Sequence, residues 1–198
     1  ESILPDAEAG WHEVVASVED HGLRRYEVSN FARPGYECRH NEGYWRGEDY
    51  LGIGPSAVST LEETRLATEA GTAACISPRP LSRRAVRISQ PVDHARYLSR
   101  RHPLDADREP LGRRELVAEY LMLGLRTAAG IRLEPVREIV GADAWNAFTE
   151  QLDRARADGS LLLGDDRVRP THRGMDLLDR VLASLVPPLL ADLESAQY

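Results

Sequence analysis

The stretch Asp143–Pro170, DAWNAFTEQLDRARADGSLLLGDDRVRP, decides the architecture of the C-terminal half. Trp145, Phe148, Leu152 and Ala155 recur at spacings of three, four and three, which puts them on one face of an α-helix. Gly159 stands where the residue after a helix must turn left-handed without a Cβ clash. Leu161–Leu163, the turn Gly164-Asp165-Asp166 and Val168–Pro170 then read as a β-hairpin. Upstream, Glu115–Thr127 predicts a helix with Leu116, Tyr120, Leu121, Leu123 and Leu125 apolar, stopped near Gly130. Leu133–Val140 predicts a shorter one, with Pro135 tolerable in its first turn. Downstream, Thr171 is placed to cap a final helix carrying Met175, Leu178, Leu182 and Leu185 on one face.

Helices, a hairpin and a closing helix are the order of a small winged-helix-like domain, expected over residues 111–187, with a frayed tail at 188–198 after Pro187-Pro188. The N-terminal end reads differently. An amphipathic helix is expected from Asp6 to His21, with Trp11, Val14, Val15 and Val18 on its stripe and Gly22 as its stop. Leu23–Ser29 then reads as a strand, so helix, glycine and strand resemble the closing unit of a parallel α/β sheet or barrel. Asn30–Ser59 reads as loop, with a second short strand at Tyr50–Ile53. Thr60–Pro80 has weak periodicity and closes on the turn signal Ser77-Pro78-Arg79-Pro80, and Val92–Arg101 predicts a short helix. The expected class is α/β, with residues 1–110 as the end of a barrel-like unit.

Bulk properties narrow the function. The 198 residues are 42% hydrophobic and 29% charged, with a formal net charge of −7, which argues against nucleic acid as a partner. Between Arg113 and Leu185, eleven Arg face twelve Asp and Glu, so the C-terminal domain is read as a docking or lid module rather than a DNA reader. Two cysteines, Cys38 and Cys75, give no disulfide framework and point to a reducing, cytoplasmic setting. No apolar run approaches the roughly 20 residues of a transmembrane helix. The chain opens at Glu1 without a methionine, in what reads as an interdomain stretch, and is expected to be a fragment.

The densest chemistry lies in Cys38-Arg39-His40-Asn41-Glu42-Gly43-Tyr44-Trp45-Arg46. An imidazole that can ligate iron, aromatic faces that can pack on a macrocycle and guanidinium groups that can pair with carboxylates are what a haem contact needs. From the residues alone a second reading stands beside it: Tyr44 and Trp45 as core anchors, with His40 a satisfied polar side chain. Cys38 and His40 could form a C-x-H metal pair, but no second pair completes a zinc site, and an incidental thiol is the simpler reading.

Tyr26–Gly35 (YEVSNFARPG), Arg39–Arg46 (RHNEGYWR) and Asp49–Pro55 (DYLGIGP) are similar, in order and spacing, to blocks of the HemW-type haem chaperones. These belong to the HemN-like radical-SAM, oxygen-independent coproporphyrinogen III oxidase superfamily. The resemblance continues through Glu115–Gly124 and Thr171–Leu185, and covers most of the chain as the C-terminal part of such a protein. It implies that His40, Asn41, Tyr44 and Trp45 form the family's H-N-x-x-Y-W haem-binding motif, with His40 as the iron ligand. It also implies delivery of haem to respiratory haem-protein clients. The whole parent would bind a [4Fe–4S] cluster and S-adenosylmethionine and could be a homodimer.

Three departures qualify that picture. The C-x-x-x-C-x-x-C cluster motif is absent, so no cluster or radical chemistry is expected of this chain alone. Gly54-Pro55-Ser56-Ala57-Val58-Ser59 stands where HemW proteins usually read G-P-G-A-H-S. It is closer to the S-A-I-S of the coproporphyrinogen oxidases, which would place Val58 at the S-adenosylmethionine edge; an apolar strand-end residue is the alternative. The segment from Thr60 to Arg87, with Cys75, matches weakly. Rival readings are therefore a coproporphyrinogen III dehydrogenase, a HemN-like radical-SAM methyltransferase or cyclopropanase, and a cofactor-free protein-interaction module.

Overall fold

The computed structural model describes residues 7–66, 79–81, 83–100, 106–191 and 193. Helix α1 (Ala7–Asp20) buries Val15 and half-buries Trp11 and Val18, whereas Val14 is 51% exposed and lies off the stripe expected for it. The strand expected over Leu23–Ser29 is reduced to β1 (Arg24–Arg25), which pairs antiparallel with β2 (Phe31–Ala32). The rest of that run has another partner. Glu27 bridges Thr127, Val28 N donates to Arg126 O, and Ala128 N donates to Tyr26 O. A run that reads as a local strand thus binds the chain a hundred residues on, which short-range patterning cannot report.

The segment read as loop contains helix α2 (Arg39–Trp45). His, Asn, Gly, Tyr and Trp are weak helix formers, which hides it from propensity. Packing compensates, because Gly43 is buried and a Cβ there would lie 2.7 Å from Glu48 Oε2. The expected strand at Tyr50–Ile53 amounts to an isolated antiparallel bridge between Tyr50 and Thr60. Three strands that sequence reading did not find follow: β3 (Val58–Glu62), β4 (Ala85–Ser89) and β5 (Asp107–Leu111) form an antiparallel sheet in that order. Short α3 (Glu63–Leu66) follows β3, and α4 (His94–Leu98) sits inside the helix expected at Val92–Arg101. Cys75 and Ser77-Pro78 lie outside the described residues.

The C-terminal half follows its local signals closely. Helix α5 (Arg113–Gly124) begins with Gly112 N donating to Glu115 Oε2 at 2.9 Å. After it come β6 (Ile131–Arg132), α6 (Glu134–Arg137) and α7 (Ala142–Ala157). Gly159 takes φ +79 and ends α7 as its position requires. Strands β7 (Leu161–Leu163) and β8 (Arg167–Pro170) form the hairpin, with β6 joining in the order β6-β8-β7. Thr171 Oγ1 accepts from Gly174 N at 2.9 Å and caps α8 (His172–Asp176). The single last helix that was expected is split, α8 being followed by α9 (Leu178–Leu190).

Of the tail expected to fray over 188–198, the first residues are helical, and 192 and 194–198 lie outside the described residues. Helix α9 carries both prolines and continues to Leu190, with Leu189 fully buried. The turn is held because Arg114 Nη1 donates to the carbonyls of Leu190 at 3.0 Å and Leu193 at 3.3 Å. One core joins Leu121 of α5 and Leu125 just after it, Phe148 and Leu152 of α7, and Leu182 and Leu185 of α9. Leu81 and Ala85 belong to the same core and Val28 packs against it, so upstream segments are seated on the C-terminal helices. The overall result is a mixed α/β fold with small sheets, antiparallel wherever strands pair among the described residues. No described helix is long and apolar enough to cross a membrane.

Candidate functional site

The site is built on α2, which packs against α5. Being a helix rather than a loop, it separates residues that the sequence groups together. At about 100° per residue, Tyr44 lies about 40° from His40 around the axis and Trp45 about 140° away. His40 is exposed, and among the described residues neither ring nitrogen has a hydrogen-bond partner. Its ring meets Tyr44 edge-on at 5.6 Å, and Tyr44 in turn packs on Tyr50 at 4.3 Å. Burial and the neighbouring Tyr50 hold the Tyr44 phenol above the ordinary tyrosine range, so it stays a neutral donor through the physiological range. The outer face of α2 is therefore an imidazole followed by a ladder of two phenol rings.

Trp45 faces the other way. It is half-buried, with the Arg126 guanidinium 5.8 Å from its ring centre, and its Nε1 is buried without a hydrogen-bond partner. It lines a cleft of about 390 Å³ shared with Tyr120 of α5, Ile131 of β6 and Arg167 of β8. Asn41 shares the Trp45 side of the helix and reaches Tyr26 Oη at 3.4 Å, a long bond that ties α2 to the β1–β2 hairpin. Arg39 is exposed, and Arg46 pairs with Glu42 at 3.6 Å and Glu48 at 3.2 Å.

Val58 opens β3 opposite Ser89 and is half-buried. The glycine turn before it lies close, since a Cβ on Gly52 would come within 2.3 Å of Val58 O. The structure thus brings His40 and Tyr44 together, places Trp45 and Asn41 on the inward side, and sets Val58 on a separate sheet. Sequence reading missed Tyr50, Arg126 and Arg167 as neighbours of the motif. Tyr50 carried a usable signal, an aromatic six residues after Tyr44; Arg126 and Arg167 carried none, because their approach depends on how α2 docks.

These side chains suit a haem contact: an exposed, unengaged imidazole flanked by aromatic faces supplies a ligand nitrogen and packing surface. They do not suit an iron–sulfur cluster. The chain has two cysteines, one fewer than the thiolates such a site takes from its motif, and Cys38 is an exposed thiol ahead of α2. Among the described residues no group of three or more His, Cys, Asp or Glu is arranged to hold a metal ion.

An antiparallel α/β unit presenting an imidazole–aromatic helix, seated on a helical C-terminal domain, defines the class of protein. Residues 111–177 match the family model described as the HemN C-terminal domain. The heme chaperone HemW of Bacillus subtilis is 26% identical over 185 residues, covering 93% of this chain and 44% of the relative. HemW of Mycobacterium tuberculosis is 32% identical, covering 83% and 35%. The mitochondrial radical S-adenosyl methionine domain-containing protein 1 of mouse is 31% identical, covering 93% and 40%. Coproporphyrinogen III oxidase (HemN) from Escherichia coli, a radical SAM enzyme, superposes with a TM-score of 0.61 at 14% identity, over 93% of this chain and 42% of that one. Residues 111–177 thus match a HemN C-terminal domain, and the chain as a whole is similar to a C-terminal portion of HemW and HemN proteins, spanning less than half the length of these relatives.

Proposed function

We propose that this chain is the haem-contact and C-terminal part of a HemW-like haem chaperone, with His40 as the iron ligand. The observation that carries the reading is the exposed His40 imidazole, free of hydrogen-bond partners among the described residues and edge-on to Tyr44 of the Tyr44–Tyr50 pair. A bound haem would supply an iron able to accept a nitrogen ligand, which His40 would provide. What the chain supplies is a nitrogen lone pair, an aromatic wall and, through Asn41 and Trp45, the docking of α2 that fixes the direction of the imidazole. In the whole protein the chaperone would work in the cytoplasm, carry haem to respiratory haem proteins and use the winged-helix-like C-terminal domain as a docking or lid module at the end of a radical-SAM barrel. There Val58, at the start of β3, would meet the edge of S-adenosylmethionine.

The test is a haem titration followed by the Soret band, in this chain and in a full-length parent. His40→Ala is expected to abolish the shift that marks imidazole ligation, and His172→Ala, remote on α8, to leave it. Trp45→Ala is expected to weaken affinity by about 1–3 kcal/mol without changing the ligation spectrum, since it removes buried aromatic surface under α2. Unchanged spectrum and affinity in His40→Ala would sink the assignment and leave α2 a structural helix.

A further inference from the structure

A cleft of about 390 Å³ beside α2 does not include His40 in its lining. It is floored by apolar side chains, among them Trp45, Leu81, Ile131 and Pro135, and lies between α2 and the start of the β6–α6 segment. Among the described residues, four arginines and no carboxylate line it. Three of these arginines already have acids of their own. Arg46 pairs with Glu42 and Glu48, Arg79 with Asp49 and Glu119, and Arg132 with Glu134 and Asp166. Arg167 differs: it is exposed, and its recorded bond among the described residues is from Nη1 to the Ala129 carbonyl at 3.1 Å. A guanidinium carries five N–H donors, so one bond to a carbonyl leaves most of its capacity unspent at the cleft lining. Trp45 Nε1, at the cleft wall, is a second donor without an acceptor.

We propose that this cleft is a binding site for a free apolar molecule bearing a carboxylate, separate from whatever the His40 face holds. Three features converge on that chemistry. The apolar floor and the volume, about 390 Å³, suit a compact hydrophobic body rather than a highly charged one. A planar guanidinium that makes no ion-pair contact within 4.0 Å among the described residues, although Asp166 lies in its field, is matched to the two oxygens of a carboxylate. Trp45, which lines the same cleft, has a buried indole N–H that lacks, among the described residues, the acceptor that buried donors almost always have. The angular offset of about 140° between His40 and Trp45 on α2 keeps the two sites on different faces of the helix.

The experiment uses pyrenebutyrate as the fluorescent probe and its methyl ester as the uncharged control. The acid is expected to bind about tenfold or more tightly than the ester, and Arg167→Ala to remove that preference while leaving ester affinity unchanged. Trp45→Phe, which keeps the ring and deletes the N–H, is expected to weaken the acid by about three- to tenfold. Arg180→Ala, on the far surface of α9, is the folding-neutral comparison and should match the wild type. Haem added at saturation should leave the probe bound. Equal affinity for acid and ester, or an acid preference that survives Arg167→Ala, overturns the site. Displacement of the probe by haem overturns its separateness, and because ligation at His40 is read from the Soret band, either failure leaves the haem reading to stand or fall alone.

Discussion

Ser56 is where a single residue pays most visibly for the local design. It takes φ +63, the left-handed region, between Gly54 and the strand β3, and its N–H donates to Pro91 O at 3.1 Å. An L-residue there costs roughly 1–2 kcal/mol, and only part is returned by the smaller unfolded-state entropy that serine has relative to glycine. Ser56→Gly is therefore expected to raise stability by about 0.5–1 kcal/mol, read as an increase in denaturant midpoint at constant slope. A fall in midpoint would mean that the serine side chain holds the turn in a way its backbone geometry does not reveal. The same scale shows the limit of reading a site from sequence. His40, Asn41, Tyr44 and Trp45 are identifiable as chemistry from their order alone, but their grouping is not, because in a loop all four could face one ligand and in a helix they cannot. Arg167 was invisible for a related reason: its relevance to Trp45 arises only when α2 docks on α5.

At the scale of elements, the legible ones carry their own signals. Helix α7, Gly159, the β7–β8 hairpin and the Thr171 cap each depend on residues within a few positions of one another. The sheet β3-β4-β5 does not. Strand β5, DREPL, has three exposed residues and a proline, and it owes its register to β4, where Ala85 faces Leu111 and Ser89 faces Asp107. The link from β6 to the hairpin turn is also long-range: Asp166 accepts from Arg132 Nε at 2.9 Å and from Glu134 N at 2.9 Å. The Arg132 hydrogen bond, chiefly, holds the Asp166 carboxyl below its ordinary value of 3.8. A depressed folded-state pKa gives stability that is present above the unfolded value and is lost as pH falls through the folded one. Asp166→Asn should thus be less stable than wild type at neutral pH, with the gap closing under acid below the usual carboxylate range. A gap that stays constant with pH, followed by thermal unfolding, would assign the loss to geometry rather than charge.

For the whole molecule, one carboxylate joins α1 and β1 to α8. Asp176 Oδ1 on α8 accepts from Trp11 Nε1 at 2.9 Å and Arg25 Nη1 at 2.7 Å. The Arg25 side chain is 2% exposed, lies 5.2 Å from the centre of the Trp11 ring, and gives its remaining bonds to Val28 O. Together with the Glu27–Thr127 bridge, this anchors α1 and the β1–β2 hairpin to the C-terminal helices. Removing the acid would leave a buried guanidinium without its counter-charge, a change that typically costs about 3–5 kcal/mol. Asp176→Ala should therefore lower stability on that scale and open α1 to limited proteolysis, while the core of α5, α7 and α9 persists. Asp179→Ala provides the contrast, since the Asp179 side chain is 96% exposed and sits 4.0 Å from Arg126. Surface pairs of that kind contribute roughly 0–1 kcal/mol, so its digestion pattern should match the wild type. If the two variants unfold and digest alike, the N-terminal elements are held by the backbone bonds at Tyr26–Val28 and by apolar contact, and the Arg25–Asp176 pair is incidental to their anchoring.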